Sequence, residues 1–80
     1  MKVKAKVAYR DETHRKAVVH YKNLKAVYKK WIEEGDKTML DYTYDKLIAI
    51  SETLFFSGAI TIERMNYLNK ELDKMRGWDF

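Results

Sequence analysis

Cysteine and proline are absent from this chain, glycine occurs three times, histidine twice, and no apolar run is longer than four residues. Without cysteine there are no disulfides, no thiolate metal sites and no thiol nucleophile, a usage that fits a reducing compartment. Without proline, and without a low-complexity tract or internal repeat, nothing marks a linker. The three glycines are spaced as helix ends and cannot form a glycine-rich phosphate cradle. The apolar runs at 47–50 and 54–56 fall far short of the roughly 20 residues of a membrane helix. Residues 2–7 alternate lysine with small apolar side chains, so they lack the apolar core of a signal peptide. The expectation is a cytoplasmic protein with no membrane partner.

What is present is enough for a core. Of the 80 residues, 46% are hydrophobic and 14% aromatic, too much apolar material for the disordered class. A chain of this length makes a single small domain, 1–80, and buries only about 60% of its unfolded surface. Small domains usually add disulfides, a metal or a partner subunit, which leaves good packing or a homodimer here.

The net charge of +4 hides a division. Residues 1–30 hold ten Lys/Arg against Asp11 and Glu12, whereas residues 31–80 hold six against ten acidic side chains. An acidic partner would meet the N-terminal part of the chain.

Val3, Ala5, Val7 and Tyr9 alternate with Lys2, Lys4, Lys6 and Arg10, the period of a strand with one buried face. Ala17, Val19 and Tyr21 repeat the pattern, so the alternation predicts an antiparallel β-hairpin over about 2–21 with its turn at 11–14. A helix running from Thr13 through Trp31 is the rival reading, because Ala17, Val18, Tyr21, Leu24, Tyr28 and Trp31 also fit a helical spacing. Leu24, Val27, Tyr28, Trp31 and Ile32 form a helical stripe over about 24–34, capped by Asn23 and ended by Gly35. Residues 36–41 read as a connection, with room for a third short strand at 39–42. A second helix is expected over about 44–57, starting near Thr43 and Asp45 and stopped by Gly58. A third, over about 62–76, is capped by Thr61, carries the stripe Ile62, Met65, Leu68, Leu72 and Met75, and ends at Gly77. Strands segregated from helices predict an α+β fold in which the last two helices form an αα-hairpin.

No constellation of catalytic residues emerges. His14 and His20 could be imagined as metal ligands beside Asp11 and Glu12, but on the hairpin both are solvated. Ser51 and Ser57 have no neighbouring base. Glu33 and Glu34, or Glu71 and Asp73, lie on polar helix faces, and so short a domain leaves little room for a small-molecule pocket of 300–1,000 Å³. The expectation is a protein with no enzymatic activity, no cofactor and no metal.

Binding is better supported. Lys2, Lys4, Lys6, Arg10 and Lys16 would project from the hairpin, with Lys22, Lys25, Lys29 and Lys30 on the adjoining helix. Lysines also blunt exposed strands against aggregation, and a lysine-dominated set is a poor base reader compared with arginine. Tyr42, Trp78 and Phe80 lie outside the clear periodic segments and are candidate interface rings. The ending at 77–80 could serve as a docking peptide or fold back onto the body. The composition is that of accessory proteins from phages and mobile elements. It favours a stoichiometric protein binder that inhibits a host nucleic-acid-handling or defence protein by occupying its surface. The alternative is direct DNA or RNA binding, through the same basic residues or through a helix-turn-helix-like hairpin at 44–76 that presents Arg64, Asn66, Tyr67, Asn69 and Lys70.

Overall fold

A computed structural model describes residues 2–78, with residues 2–11 described in backbone alone. Three helices make up the described chain: α1 (Lys2–Glu34), α2 (Lys37–Phe56) and α3 (Ile62–Met75). No strand occurs among the described residues, so the α+β expectation is corrected to an all-α one.

The hairpin expected at 2–21, its turn at 11–14 and the helix expected to start at Asn23 are all part of one continuous helix. Side-chain burial shows which periodicity the chain obeys. A period of two would place Ala17, Val19 and Tyr21 on one face, but Tyr21 is 4% exposed and Val19 48%. Tyr21 and Tyr28, two helical turns apart, are both buried. The local chemistry agrees, because residues 11–14 offer neither glycine nor asparagine for a tight hairpin turn. A hairpin without a third strand is marginal in water, and Lys, Ala, Arg and Glu are good helix formers.

The expected connection at 36–41 and the short strand at 39–42 are likewise the opening turns of α2. Asp36 is its N-cap, the side chain accepting a hydrogen bond from the Met39 N–H at 3.1 Å. Thr43, expected near the helix start, is instead 2% exposed in its interior. It extends a stripe of Leu40, Tyr44, Leu47, Ile48, Ser51 and Leu54 that turns inward over the full length of α2.

The closing ends of all three helices and the start of α3 follow the sequence closely. Thr61 caps α3 by accepting from the Arg64 N–H at 3.1 Å. Each helix closes on a glycine with positive φ: Gly35 (72°), Gly58 (82°) and Gly77 (84°). In each case the glycine N–H and the N–H after it bond back into the last turn. Gly35 donates to Ile32 O and Asp36 to Trp31 O, at 3.2 and 3.1 Å, and the same pair recurs after α2 and α3. These two hydrogen bonds satisfy carbonyls that a helix end otherwise leaves open.

A two-residue link folds α2 back along α1, and residues 57–61 fold α3 back along α2, so α1 and α3 run parallel. The core is Tyr21, Tyr28, Leu47 and Leu72, flanked by half-buried Leu24, Ile32, Leu40, Ile48, Leu68 and Met75. Buried Ser51 lets α3 approach α2: its hydroxyl donates to Ile48 O at 2.9 Å and lies 2.7 Å from the Asn69 side-chain amide. Ile62, placed in the α3 stripe by its spacing, is 48% exposed, since the opening turn of α3 has little to pack against.

At 1.5 Å per residue α1 is about 50 Å long and α2 about 30 Å. The molecule measures 48 × 23 × 14 Å, so α1 sets its long axis and outruns the bundle. No helix among the described residues is long and apolar enough to cross a membrane.

Candidate functional site

The parallel pairing of α1 with α3 opens a cavity of about 310 Å³ between them. Successive turns of α1 contribute Val18, Tyr21, Lys22 and Lys25, and α3 contributes Arg64, Tyr67, Leu68 and Glu71. Leu54 and Ile60 close one end. The spacing explains the set, since i, i+3, i+4 and i+7 positions on each helix share a face. The cavity lies at the lower end of the range for ligand sites, so so short a chain does have room for one.

Its walls are apolar and its rim is cationic. Lys25 Nζ donates to Glu71 Oε1 at 2.6 Å, a partly buried ion pair that also ties α1 to α3. Lys22 is exposed, and the Arg64 guanidinium stacks over the Tyr67 ring at 5.1 Å. Neither forms an ion pair with a described residue. Three cations and one carboxylate thus line the same cavity.

Tyr21 lines the cavity and carries its least ordinary polar group. The hydroxyl is shielded from solvent and makes no hydrogen bond to any described residue. Burial, with the Glu71 carboxylate adding to it and Arg64 opposing, pushes the phenol up to about 12. Buried hydroxyls are nearly always paired, because an unpaired one costs about 1–3 kcal/mol.

The structure divides the basic residues read from the sequence. Lys22, Lys25 and Lys29 share one side of α1, where with Ala26 and Met75 they line a shallow groove continuous with the cavity rim. Lys16 and Lys30 are exposed away from it, Lys30 lying over the Trp31 ring at 5.8 Å. Lys2, Lys4, Lys6 and Arg10 belong to the first turns of α1, whose helical backbone removes the two-faced arrangement the hairpin assumed; their side chains lie outside the description. Tyr42 is 55% exposed on α2, with Lys46 Nζ 5.0 Å from its ring, and does not reach the cavity.

At the opposite end of the bundle Trp78, the last described residue, packs back onto the helices. Trp78 meets Tyr44 edge-on at 5.7 Å and lies under the Arg76 guanidinium at 3.8 Å. Arg76 pairs with Asp41 at 2.5 Å, and the Tyr44 hydroxyl donates to Asp73 at 2.6 Å. Trp78 is therefore part of a clasp while remaining 44% exposed, and Phe80 lies outside the described residues. Of the set proposed for a DNA-reading helix, Arg64 and Tyr67 line the cavity toward α1, Asn69 meets Ser51, and Asn66 and Lys70 face solvent.

Lys22 and Lys25 from one sequence-derived set therefore meet Arg64 and Tyr67 from the other. Sequence reasoning missed Tyr21, Ile60, Leu68 and Glu71 as site residues. The spacings Tyr21/Lys25 and Arg64/Leu68/Glu71 were legible as helical faces, but that the two faces meet was not. His14 is half-buried and His20 exposed, and no group of three His, Cys, Asp or Glu side chains gathers to hold a metal among the described residues. The chain matches no protein-family model, no curated protein and no solved structure.

Proposed function

We propose that this domain is a non-catalytic binder that docks an acidic partner protein through the cavity between α1 and α3 and the basic rim around it. The observation that carries the reading is the convergence of Lys22, Lys25, Arg64 and exposed Tyr67 on one apolar-walled cavity. An arginine and a tyrosine beside an apolar pocket are the residue types that dominate binding energy in protein interfaces. The surplus of positive charge selects an acidic surface and speeds encounter with it. A host protein whose acidic surface is so occupied would be inhibited without chemistry.

Direct nucleic-acid binding is the second reading. The observation favouring it is that Lys16, Lys22, Lys29, Lys30 and Lys70 are all exposed and form no ion pair with a described residue. It predicts affinity that falls steeply with salt, in proportion to the phosphates contacted.

Capture of tagged protein from native lysate, with and without nuclease, separates the two. One protein retained at near-equal stoichiometry after nuclease, and lost in a Lys22→Glu/Arg64→Glu variant with an unchanged circular dichroism spectrum, is the expected result. Nucleic acid alone, lost on digestion, would replace the proposal with the second reading. A partner that binds the variant as well as the parent would remove the cavity from the interface.

A further inference from the structure

The way the three helices meet specifies the shape of what docks between them. α2 packs closely on both α1 and α3, whereas the backbones of α1 and α3 scarcely approach each other. Long side chains span the gap: Lys25 reaches Glu71 at 2.6 Å, and the Tyr28 hydroxyl donates to the Leu72 carbonyl oxygen at 3.0 Å. Across its long axis the molecule measures 23 by 14 Å. Three helices closed into a triangle at the usual spacing of about 8–10 Å would span about 12–15 Å each way. α1, α2 and α3 are therefore three corners of a four-helix bundle, and the side between α1 and α3 is open. A groove runs along that side from the cavity at Val18 and Arg64 to Lys29 and Met75. Val18–Lys29 on α1 and Arg64–Met75 on α3 give it two walls of equal length, about 16 Å at 1.5 Å per residue.

Resting on the reading that this face docks an acidic partner protein, we infer that the partner supplies one amphipathic helix, about three turns long, that lies in the groove as the fourth helix of the bundle. A helix pairs its own backbone groups. An extended segment would press its N–H and C=O groups against apolar side chains and against helices whose backbone is already paired. The docking helix carries apolar side chains at i, i+3 or i+4 and i+7, one of which enters the 310 Å³ cavity while the others lie over Ala26 and Met75. Its acidic side chains line the flank that faces α1, because Lys22, Lys25 and Lys29 all stand on that wall and Arg64 alone on the other. Charge disfavours the N-terminal part of a second copy as the occupant, since residues 1–30 carry the same positive surplus as the groove. A nucleic-acid duplex presents phosphates and no apolar stripe to lay on the floor.

The test titrates the ¹⁵N-labelled full chain with two synthetic peptides of about 14 residues, long enough to span the groove. Both contain the same leucine, glutamate and alanine residues, in one with the leucines at helical spacing and in the other with the leucines alternating. Ala26 is exposed and lines the groove, so Ala26→Trp obstructs it without changing charge or core. The helically spaced peptide should shift the resonances of Val18, Lys22, Leu68 and Met75 saturably and gain helical circular dichroism as it binds. The alternating peptide, and the helical one on Ala26→Trp, should bind at least about tenfold more weakly. In the lysate capture Ala26→Trp should lose the partner as Lys22→Glu/Arg64→Glu does. Equal binding of the two peptides, or saturable binding of neither, would overturn the helix assignment. Capture abolished by Lys22→Glu/Arg64→Glu but left intact by Ala26→Trp would overturn it too, while the docking reading stands. A lysate that yields no nuclease-resistant protein would overturn the docking reading and the helix with it.

Discussion

The Tyr28 hydroxyl donates to the Leu72 carbonyl oxygen at 3.0 Å, where both residues are fully buried. Two turns earlier on the same face of α1, the Tyr21 hydroxyl is also buried and has no such partner. The same substitution at the two positions should therefore have opposite signs. Tyr28→Phe should lose about 1 kcal/mol, the net value of one intramolecular hydrogen bond, whereas Tyr21→Phe should gain up to about 1–3 kcal/mol by removing an unpaired buried hydroxyl. Urea unfolding of the two variants beside the parent measures both. A loss of stability in Tyr21→Phe would mean that its hydroxyl is paired in solution.

Three phenols should govern stability in alkali. Burial pushes Tyr21, Tyr28 and Tyr44 each up from 10.0 to about 12, and for Tyr44 the hydrogen bond to Asp73 adds to it. The folded chain thus holds these protons more tightly than the unfolded chain does. Their contribution is complete below the unfolded value near 10 and is lost as pH rises through about 12. The urea midpoint should fall across that window, and Tyr44→Phe should make the fall shallower.

Arg76 should hold Trp78 in place by shape as well as charge. Its side chain is only 4% exposed, although its partner Asp41 is 60% exposed. The buried stacking on Trp78 and Tyr44 therefore matters more than the half-solvated ion pair. Arg76→Lys should not rescue, because an ammonium lacks the planar face. Both Arg76→Ala and Arg76→Lys should shift Trp78 fluorescence to the red in a Trp31→Phe background and cost about 1–2 kcal/mol.

The link between α1 and α2 should be sensitive at two neighbouring residues for different reasons. At Gly35 no atom beyond its chain neighbours would lie within 4 Å of an added Cβ, so the cost of Gly35→Ala is one of backbone conformation alone, about 1 kcal/mol at φ 72°. Asp36→Ala removes the cap of α2 and should also cost about 1 kcal/mol, with Asp36→Ser restoring most of it. Thermal unfolding of the three variants checks the pair; an unaffected Gly35→Ala would show that this helix end does not need the left-handed turn.

The closing ends of the helices and the start of α3 were legible because their determinants are local. Gly35, Gly58 and Gly77 each end a helix whatever that helix packs against, and Thr61 caps by reaching its own third residue. Thr43 misled for the same reason: a threonine before an apolar stripe reads as a cap unless its own burial is known. Asp36 then does the capping seven residues earlier. The site was only half legible. Lys22 and Lys25, and separately Arg64 and Tyr67, stood out as basic or aromatic surface, but Tyr21 read as strand core and Glu71 as a solvated charge.

The sequence by itself determined where α1 and α2 stop, where α3 begins and ends, and the basic bias of the N-terminal part, since each depends on side chains within a turn of one another. Tertiary structure alone decided that residues 2–21 are helical and that α1 lies beside α3. The segment around Ala17, Val19 and Tyr21 satisfies a period of two and a period of 3.6 almost equally. What separates them is the apolar area that Tyr21 and Tyr28 bury against residues as far off as Leu47 and Leu72, a contribution that no local window contains.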